Sequence, residues 1–524
     1  MNLVGPGRPL SEAVRRAYEA GEEDERLGPI VRADASGRPA GRIRPGDSVI
    51  FYDVRGEREA TITRSLTEPE RSAFPAERLG LRFVTLIEYG PSLRARVAFP
   101  PETRLRRTVT EVLAAAGVRV RKIAESEKAT HVGFFFNGKT DEVFPGEERF
   151  IIPSVRVEQY ADCPEMCAAE VGREIAARLA EPDRQVIVAN LANVDEVGHL
   201  EDRGAVIKAV RTVDGVLGSV LEAARAAQAA VLVTADHGTA EQWLYPDGTV
   251  DTGHTKNPVP FVLADFSPGA SGGWSLRGRG GLADVAPTLL EVAGVAAPPE
   301  MGGRSLVERK PDTFRPARTV LLLILDGWGH REEAYGNLIR EAGPAAFDGL
   351  WRDFPHAVLD AAGEAVGMPA GTVGNSEAGH LHLGAGRHVF LDRVRVDRAI
   401  EDGSFFRNEP LLWAMREAKA EARAVHLMGI VSFYSSHGTI RHLFALMRLA
   451  REAGVPRLFI HSFIGRRNDM PETGAVYVEK VEETANELGL GEVATVMGRY
   501  WPLARENTPE RVARAYRVLV HGTD

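Results

Sequence analysis

Thr319-Val-Leu-Leu-Leu-Ile-Leu-Asp326-Gly-Trp-Gly329 is an almost unbroken apolar run that stops at an aspartate and a glycine turn. A run of this length and composition suits a strand buried on both faces, as in a parallel sheet covered by helices. Two other stretches have the same form. Gln185-Val-Ile-Val-Ala-Asn-Leu-Ala-Asn leads to Asp195-Glu-Val-Gly-His199, and Ala230-Val-Leu-Val-Thr-Ala ends at Asp236-His237-Gly238. Ligands of such sheets gather at the carboxyl ends of the strands. Acidic residues and histidines at three strand ends form a metal-site pattern rather than a scatter of core residues. Asp195 and His199, four apart, fall on one face of a helix and can share an ion.

A second stretch, Thr372-Val-Gly-Asn-Ser-Glu-Ala-Gly-His380, places Ser376 between Gly374 and Gly379 at a turn that opens into helix-forming residues. A serine there serves either as the helix N-cap or as a phosphate-site residue, because free N–H groups and the helix dipole favour an anion. The metal pattern elsewhere in the chain favours the second role.

The chain has 524 residues, enough for two or more domains with sizeable cores. A formal net charge of -9, with no basic stripe, argues against a nucleic-acid binder. No apolar segment approaches the roughly 18–20 residues needed to span a bilayer, and the N-terminus lacks an apolar signal core. Cys163 and Cys167 read as free thiols in a reducing compartment, so a cytoplasmic location is expected. A monomer is expected, without nucleic-acid or membrane partners.

Along the chain, Ser11 to Ala20 predicts a short helix, and Phe99-Pro-Pro-Glu-Thr a linker followed by a helix from Arg104 to about Ala116. Strands and helices then alternate to about Val307, a stretch that also holds Lys128, His131 and Asp251-Thr-Gly-His254-Thr-Lys-Asn-Pro. Glu308 to Ala317 reads as a charged, proline-containing connector, and His388 to Arg398 as a second linker. Three further apolar runs precede His437, Arg466-Arg467-Asn468-Asp469 and Arg499, and another ends at Arg55 and Arg58. Forked guanidiniums at strand ends suit an anionic ligand.

Taken together, Leu325-Asp-Gly-Trp-Gly329, Gly374-Asn-Ser-Glu-Ala-Gly-His380, Val233-Thr-Ala-Asp-His-Gly238 and His254-Thr-Lys-Asn-Pro258 resemble signatures of the cofactor-independent (2,3-bisphosphoglycerate-independent) phosphoglycerate mutases, in the alkaline-phosphatase superfamily. The resemblance implies an α/β protein of two domains. One is an alkaline-phosphatase-like doubly wound sheet, residues 101–390. The other is an α/β transferase-type domain split between 1–100 and 391–524. The order of the motifs is that of a circular permutant, since Val320–Asp524 resembles the family's first part and residues 42–306 its last.

By position, the resemblance gives Asp195, His199 and His254 to one divalent ion. Asp326, Ser376, Asp236 and His237 fall to a second. Manganese is the expected metal, with magnesium, cobalt or zinc as alternatives. Lys128 matches the lysine at the phosphoserine. Arg55, Arg58, His437, Arg467, Arg499 and Arg505 match the substrate-binding set. Departures fall on the substrate side, where Phe433-Tyr-Ser-Ser-His437 and Gly465-Arg-Arg-Asn-Asp469 replace Asp-Gly-Gly-Val-His and Asp-Gly-Arg-Asp-Thr. Asn468 cannot take a proton at neutral pH as an aspartate would, which leaves Asp469 as the candidate base and adds Arg466 to the anion side. The expected function is therefore a metal-dependent phosphoryl or phosphonyl transferase with a serine nucleophile, acting on a glycerate-like anion, with a place in phosphonate metabolism in view. The alternatives are a genuine phosphoglycerate mutase, a phosphatase, and, behind both, a non-catalytic binding protein.

Overall fold

The protein is described by a computed structural model covering all residues except 1, 57, 91, 102, 103, 158, 271, 272, 434–436, 466–472 and 504–507. The three apolar runs lie side by side in one eight-stranded sheet. Thr319–Leu325 sits in its centre, paired in parallel with Gln185–Leu191 on one side and Ala230–Thr234 on the other. All three are buried along their whole length, which is why their sequences do not alternate. The sheet continues through Arg119–Glu125 to Glu147–Ile152 at one edge, and through Val259–Asp265 and His356–Asp360 to Arg279–Gly281 at the other. Among these strands only Val259–Asp265 runs against the rest.

The chain divides into two units, Glu102–Leu391 and Met1–Pro101 with Asp392–Asp524, each with its own apolar core. The second unit has an eight-stranded sheet in which Glu492–Gly498, Arg457–Ile464, Ala424–Ile430, Ser48–Phe51, Arg82–Thr85 and Arg96–Val97 are parallel neighbours. Both units are thus α/β with large mixed sheets. No described helix is long and apolar enough to cross a membrane.

The first helix runs Leu10–Glu19, close to expectation. The helix expected from Arg104 starts only at Val109, because Arg107 has a left-handed backbone (φ 60) that breaks the helical path. The linker expected over His388 to Arg398 is largely the helix Asp392–Glu401. Its charges made it look solvated, but Val394, Val396 and Ala399 form a buried stripe. The connector is not a loose tether either. Val307–Arg309 pairs with Ser275–Leu276, and Phe314 packs edge-on against Trp274.

Candidate metal centre and its serine

Register explains how the motifs meet. Ile324 pairs with Thr234 and Leu325 with Leu191, so the three strands end at one level. Asp326 and Asp236 leave there directly, and Asp195 follows one turn into the short helix Asn193–Gly198. Gly327 holds the turn after Asp326 with φ 78, and a Cβ on it would lie 2.8 Å from the backbone of Asp195. Only glycine fits both demands. Trp328, almost fully buried, anchors the same turn.

Ser376 is the first residue of the helix Ser376–Ala385, but it is not the cap. Asn375 takes that role, its side chain accepting the Ala378 N–H at 2.8 Å. Ser376 Oγ is left to the pocket, where it lies 3.0 Å from His237 Nε2, 3.2 Å from Lys128 Nζ and 3.4 Å from Asp326 Oδ1. The helix can come this close because Gly379 lies against Asp236, where a Cβ would sit 2.6 Å from the Asp236 Cβ.

Around the serine the carboxylates and imidazoles fall into two groups. Asp195 Oδ1 lies 3.2 Å from His254 Nε2 and 3.3 Å from His199 Nε2, and these two nitrogens are 3.1 Å apart. Each ring is aimed by its other nitrogen, which bonds Thr252 O in His199 and Gly374 O in His254. That is how metal-binding histidines are oriented from behind. The other group is Asp236, Asp326 and His380, with Asp236 Oδ2 3.2 Å from His380 Nδ1. His237 lies between them, 3.4 Å from Asp326 and 3.6 Å from Asp195. The six other expected ligand residues are therefore brought together around Ser376.

The donor set fits divalent cations. Asp195 Oδ1 and Asp236 Oδ2 are buried, make no well-aligned hydrogen bond and face only imidazole nitrogens, a costly state for a carboxylate unless a cation serves it. Burial would lower the His237 pKa, but Asp236, Asp195 and Asp326 outweigh it and push it up to about 10. Burial likewise acts to lower Lys128, yet Asp326, Asp195 and Asp236 hold it well above the ordinary lysine value. The pocket thus carries a surplus of negative charge that neighbouring protons answer only in part.

Three further contributors were given no role from the sequence. His380 closes the signature around Ser376 and joins Asp236 and Asp326. Asn190 donates to Asp326 Oδ2 at 2.7 Å from inside a strand. Buried Glu241 accepts the Thr239 N–H, the Thr255 hydroxyl and the Asn257 amide, tying the Asp-His-Gly and His-Thr-Lys-Asn-Pro turns together. Asn190 and Glu241 have no motif of their own; only the contact betrays them.

In the other unit, the described members of the expected anion set follow the ends of parallel strands of one sheet. Arg55 follows Ser48–Phe51, His437 follows Ala424–Ile430, and Arg499 follows Glu492–Gly498. Arg58 lies three residues beyond Arg55, half-buried where Arg55 is exposed. His437 Nδ1 meets Glu59 Oε1 at 2.6 Å, and buried Arg499 bonds Glu25 at 3.1 Å. Arg466, Arg467, Asn468, Asp469 and Arg505 lie outside the described residues.

A family described as the metalloenzyme superfamily matches residues 27–297, just over half of the chain. The chain belongs to the metalloenzyme superfamily. A second family, described as the N-terminus of the BPG-independent phosphoglycerate mutases, matches residues 396–524 of this superfamily member. Curated relatives named 2,3-bisphosphoglycerate-independent phosphoglycerate mutase include one from Moorella thermoacetica, 44% identical over 299 residues, which are 57% of each chain. Another, from Thermomicrobium roseum, is 42% identical over 301 residues, 56% of this chain and 57% of the relative. The chain thus spans little more than half the length of the curated relatives it matches. A solved Leishmania mexicana phosphoglycerate mutase is 28% identical over 54% of each chain, with a TM-score of 0.38. The family resemblance carried by the motifs holds.

Proposed function

We propose that this chain is a metal-dependent phosphotransferase in which Ser376 takes a phosphoryl group from a small phosphorylated acid and gives it back. Interconversion of 3- and 2-phosphoglycerate is the reaction this reading favours. One observation carries it: Lys128 Nζ, His237 Nε2 and Asp326 Oδ1 converge on Ser376 Oγ inside a buried cluster of carboxylates and imidazoles. The names of the relatives support the substrate class.

In this reading Asp195, His199 and His254 hold one ion and Asp326, Ser376, Asp236 and His237 the other, with manganese suited to the mixed oxygen and nitrogen donors. Two such ions lower the pKa of a coordinated hydroxyl and neutralise the oxygens of an in-line displacement. The chain does the rest. Lys128 places a fixed positive charge beside Ser376 Oγ, where it favours the ionised oxygen before attack and the bridging oxygen afterwards. The helix N-terminus under Ser376 offers N–H groups to a bound phosphate. Residues 101–390 act as the metal domain. Residues 1–100 and 391–524 act as the substrate domain, through His437, Arg55, Arg58, Arg466, Arg467, Asn468, Arg499 and Arg505, with Asp469 as the candidate base.

The motif order supports a circular permutation, because a family described as an N-terminus matches the last part of this chain. A second functional reading rests on Asn468 and Arg466: transfer of a phosphoryl or phosphonyl group to or from a more anionic partner. Manganese-loaded protein assayed for 3- to 2-phosphoglycerate conversion, with mass analysis of Ser376, separates the readings. Fast turnover with phosphate on Ser376 supports the mutase. Slow turnover that rises sharply in Asn468→Asp supports the second reading. No phosphate on Ser376 with any small phosphorylated acid removes both.

A further inference from the structure

Asp53, Glu59 and His437 form a cluster outside the serine pocket. Asp53 lies just past the carboxyl end of Ser48–Phe51, and His437 follows the end of its parallel neighbour Ala424–Ile430. Glu59 begins the helix Ala60–Thr67. The strand ends are locked together, since the Tyr52 N–H donates to Met428 O at 3.0 Å and the Val54 N–H to His437 O at 2.5 Å. One donor atom from each of the three residues lies within 4.8 Å of the others. Asp53 and Glu59 are fully buried and His437 is 2% exposed.

The chemistry is that of two carboxyl groups sharing one buried site. Asp53 Oδ1 accepts the Ile430 N–H at 2.8 Å, but Asp53 Oδ2 is buried with no hydrogen-bond partner. Glu59 Oε2 accepts the Arg58 N–H at 3.0 Å and Oε1 faces His437 Nδ1. Burial, and then the neighbouring Glu59 charge, raise the Asp53 pKa well above the carboxylate range. Two buried carboxylates beside one imidazole need either a shared proton or a cation. The backbone makes room for the acid: a Cβ at Gly429 would lie 2.7 Å from Asp53 Oδ1, and one at Gly438 3.0 Å.

We propose that Asp53 Oδ2, Glu59 Oε1 and His437 Nδ1 bind a divalent transition-metal ion, a site separate from the Ser376 cluster. Two carboxylates and one imidazole suit manganese, iron, cobalt or zinc. An ion about 2.0–2.2 Å from each donor would widen the 2.6 Å contact of Glu59 with His437 to about 3 Å.

Crystals of the wild-type chain grown with manganese, with data collected at the manganese edge, test this directly. The expected result is an anomalous peak among Asp53, Glu59 and His437. Peaks at Asp195 with none at Asp53 overturn the proposal and leave the shared proton as the answer. In solution, Asp53→Asn and Glu59→Gln proteins that retain their fold should each hold one manganese ion per chain fewer than wild type after gel filtration. Equal metal content would overturn the proposal as well. The crystal experiment stands even where a variant fails to fold.

Discussion

Lys128 Nζ lies 3.2 Å from Ser376 Oγ and also contacts Asp195, and 3.3 Å away, Asp326. One ammonium therefore touches the candidate nucleophile and both carboxylate groups of the cluster. Replacing it with an uncharged side chain should hurt turnover far more than folding. Lys128→Met is expected to lower kcat by about 10²–10³-fold, the usual cost of losing one preorganised charge donor. Ser376→Ala should abolish transfer and leave no phosphate on the chain. Steady-state kinetics with intact-protein mass analysis checks both. A Ser376→Ala protein that still turns over would rule out the serine pathway.

Gly379→Ala tests the close approach of the serine helix to Asp236. The added Cβ would lie 2.6 Å from both the Cβ and the carbonyl oxygen of Asp236, a contact neither backbone can relieve alone. A destabilisation of roughly 1–3 kcal/mol is expected from overpacking. Urea unfolding of metal-free protein measures it without interference from ligand binding. An unchanged midpoint would mean that the helix is free to move away.

Glu241→Ala should act on metal binding from a distance. It removes the acceptor of the Thr239 N–H, the Thr255 hydroxyl and the Asn257 amide, which hold His254 and His237 in register. Loss of such supporting bonds costs about 10–100-fold in metal affinity. Calorimetric titration with manganese reads it. Wild-type affinity in the variant would show that the two turns hold themselves.

Acid stability should depend on a buried relay in the other unit. Asp47 Oδ2 faces His426 Nε2 at 3.1 Å, His426 Nδ1 faces His461 Nε2 at 3.0 Å, and His461 Nδ1 faces Thr495 Oγ1 at 2.9 Å. Burial, and then the His426 charge, hold His461 well below the ordinary histidine value. Burial also lowers His426, against the pull of Asp47. A histidine depressed in the folded state takes up protons more readily when unfolded. Stability is therefore intact above the unfolded value, about 6.5, and falls as pH drops below it. The expected result is a urea midpoint that declines from about pH 6.5 downward. The decline should be shallower in His461→Gln. Parallel slopes in the two proteins would clear His461 of that role.

Much of the serine-bearing unit was legible because its strands are buried on both faces and end in ligand residues. Runs such as Thr319–Leu325 announce both the sheet and the place where its chemistry sits. What escaped was relational. Asn190 looks like one polar residue in an apolar strand, and Glu241 like a solvated acid after a turn, until each is seen against its partner. Asp53 and Glu59 were hidden in the same way, since the arginines beside them, Arg55 and Arg58, carry the more obvious reading as anion ligands. The helix Asp392–Glu401 was missed because charge dominates its composition while its buried stripe is only Val394, Val396 and Ala399.

The division of labour between Asn375 and Ser376 has a consequence for durability over repeated cycles. Had the serine been its own helix's cap, every change at its hydroxyl would have withdrawn the acceptor from a backbone N–H. With Asn375 holding the Ala378 N–H, the start of the helix is indifferent to what is attached to Ser376. A dianionic substituent there would even favour the helix, lying at the positive end of its dipole. On the function proposed for Ser376, the scaffold would pass from hydroxyl to ester and back without rebuilding its first turn.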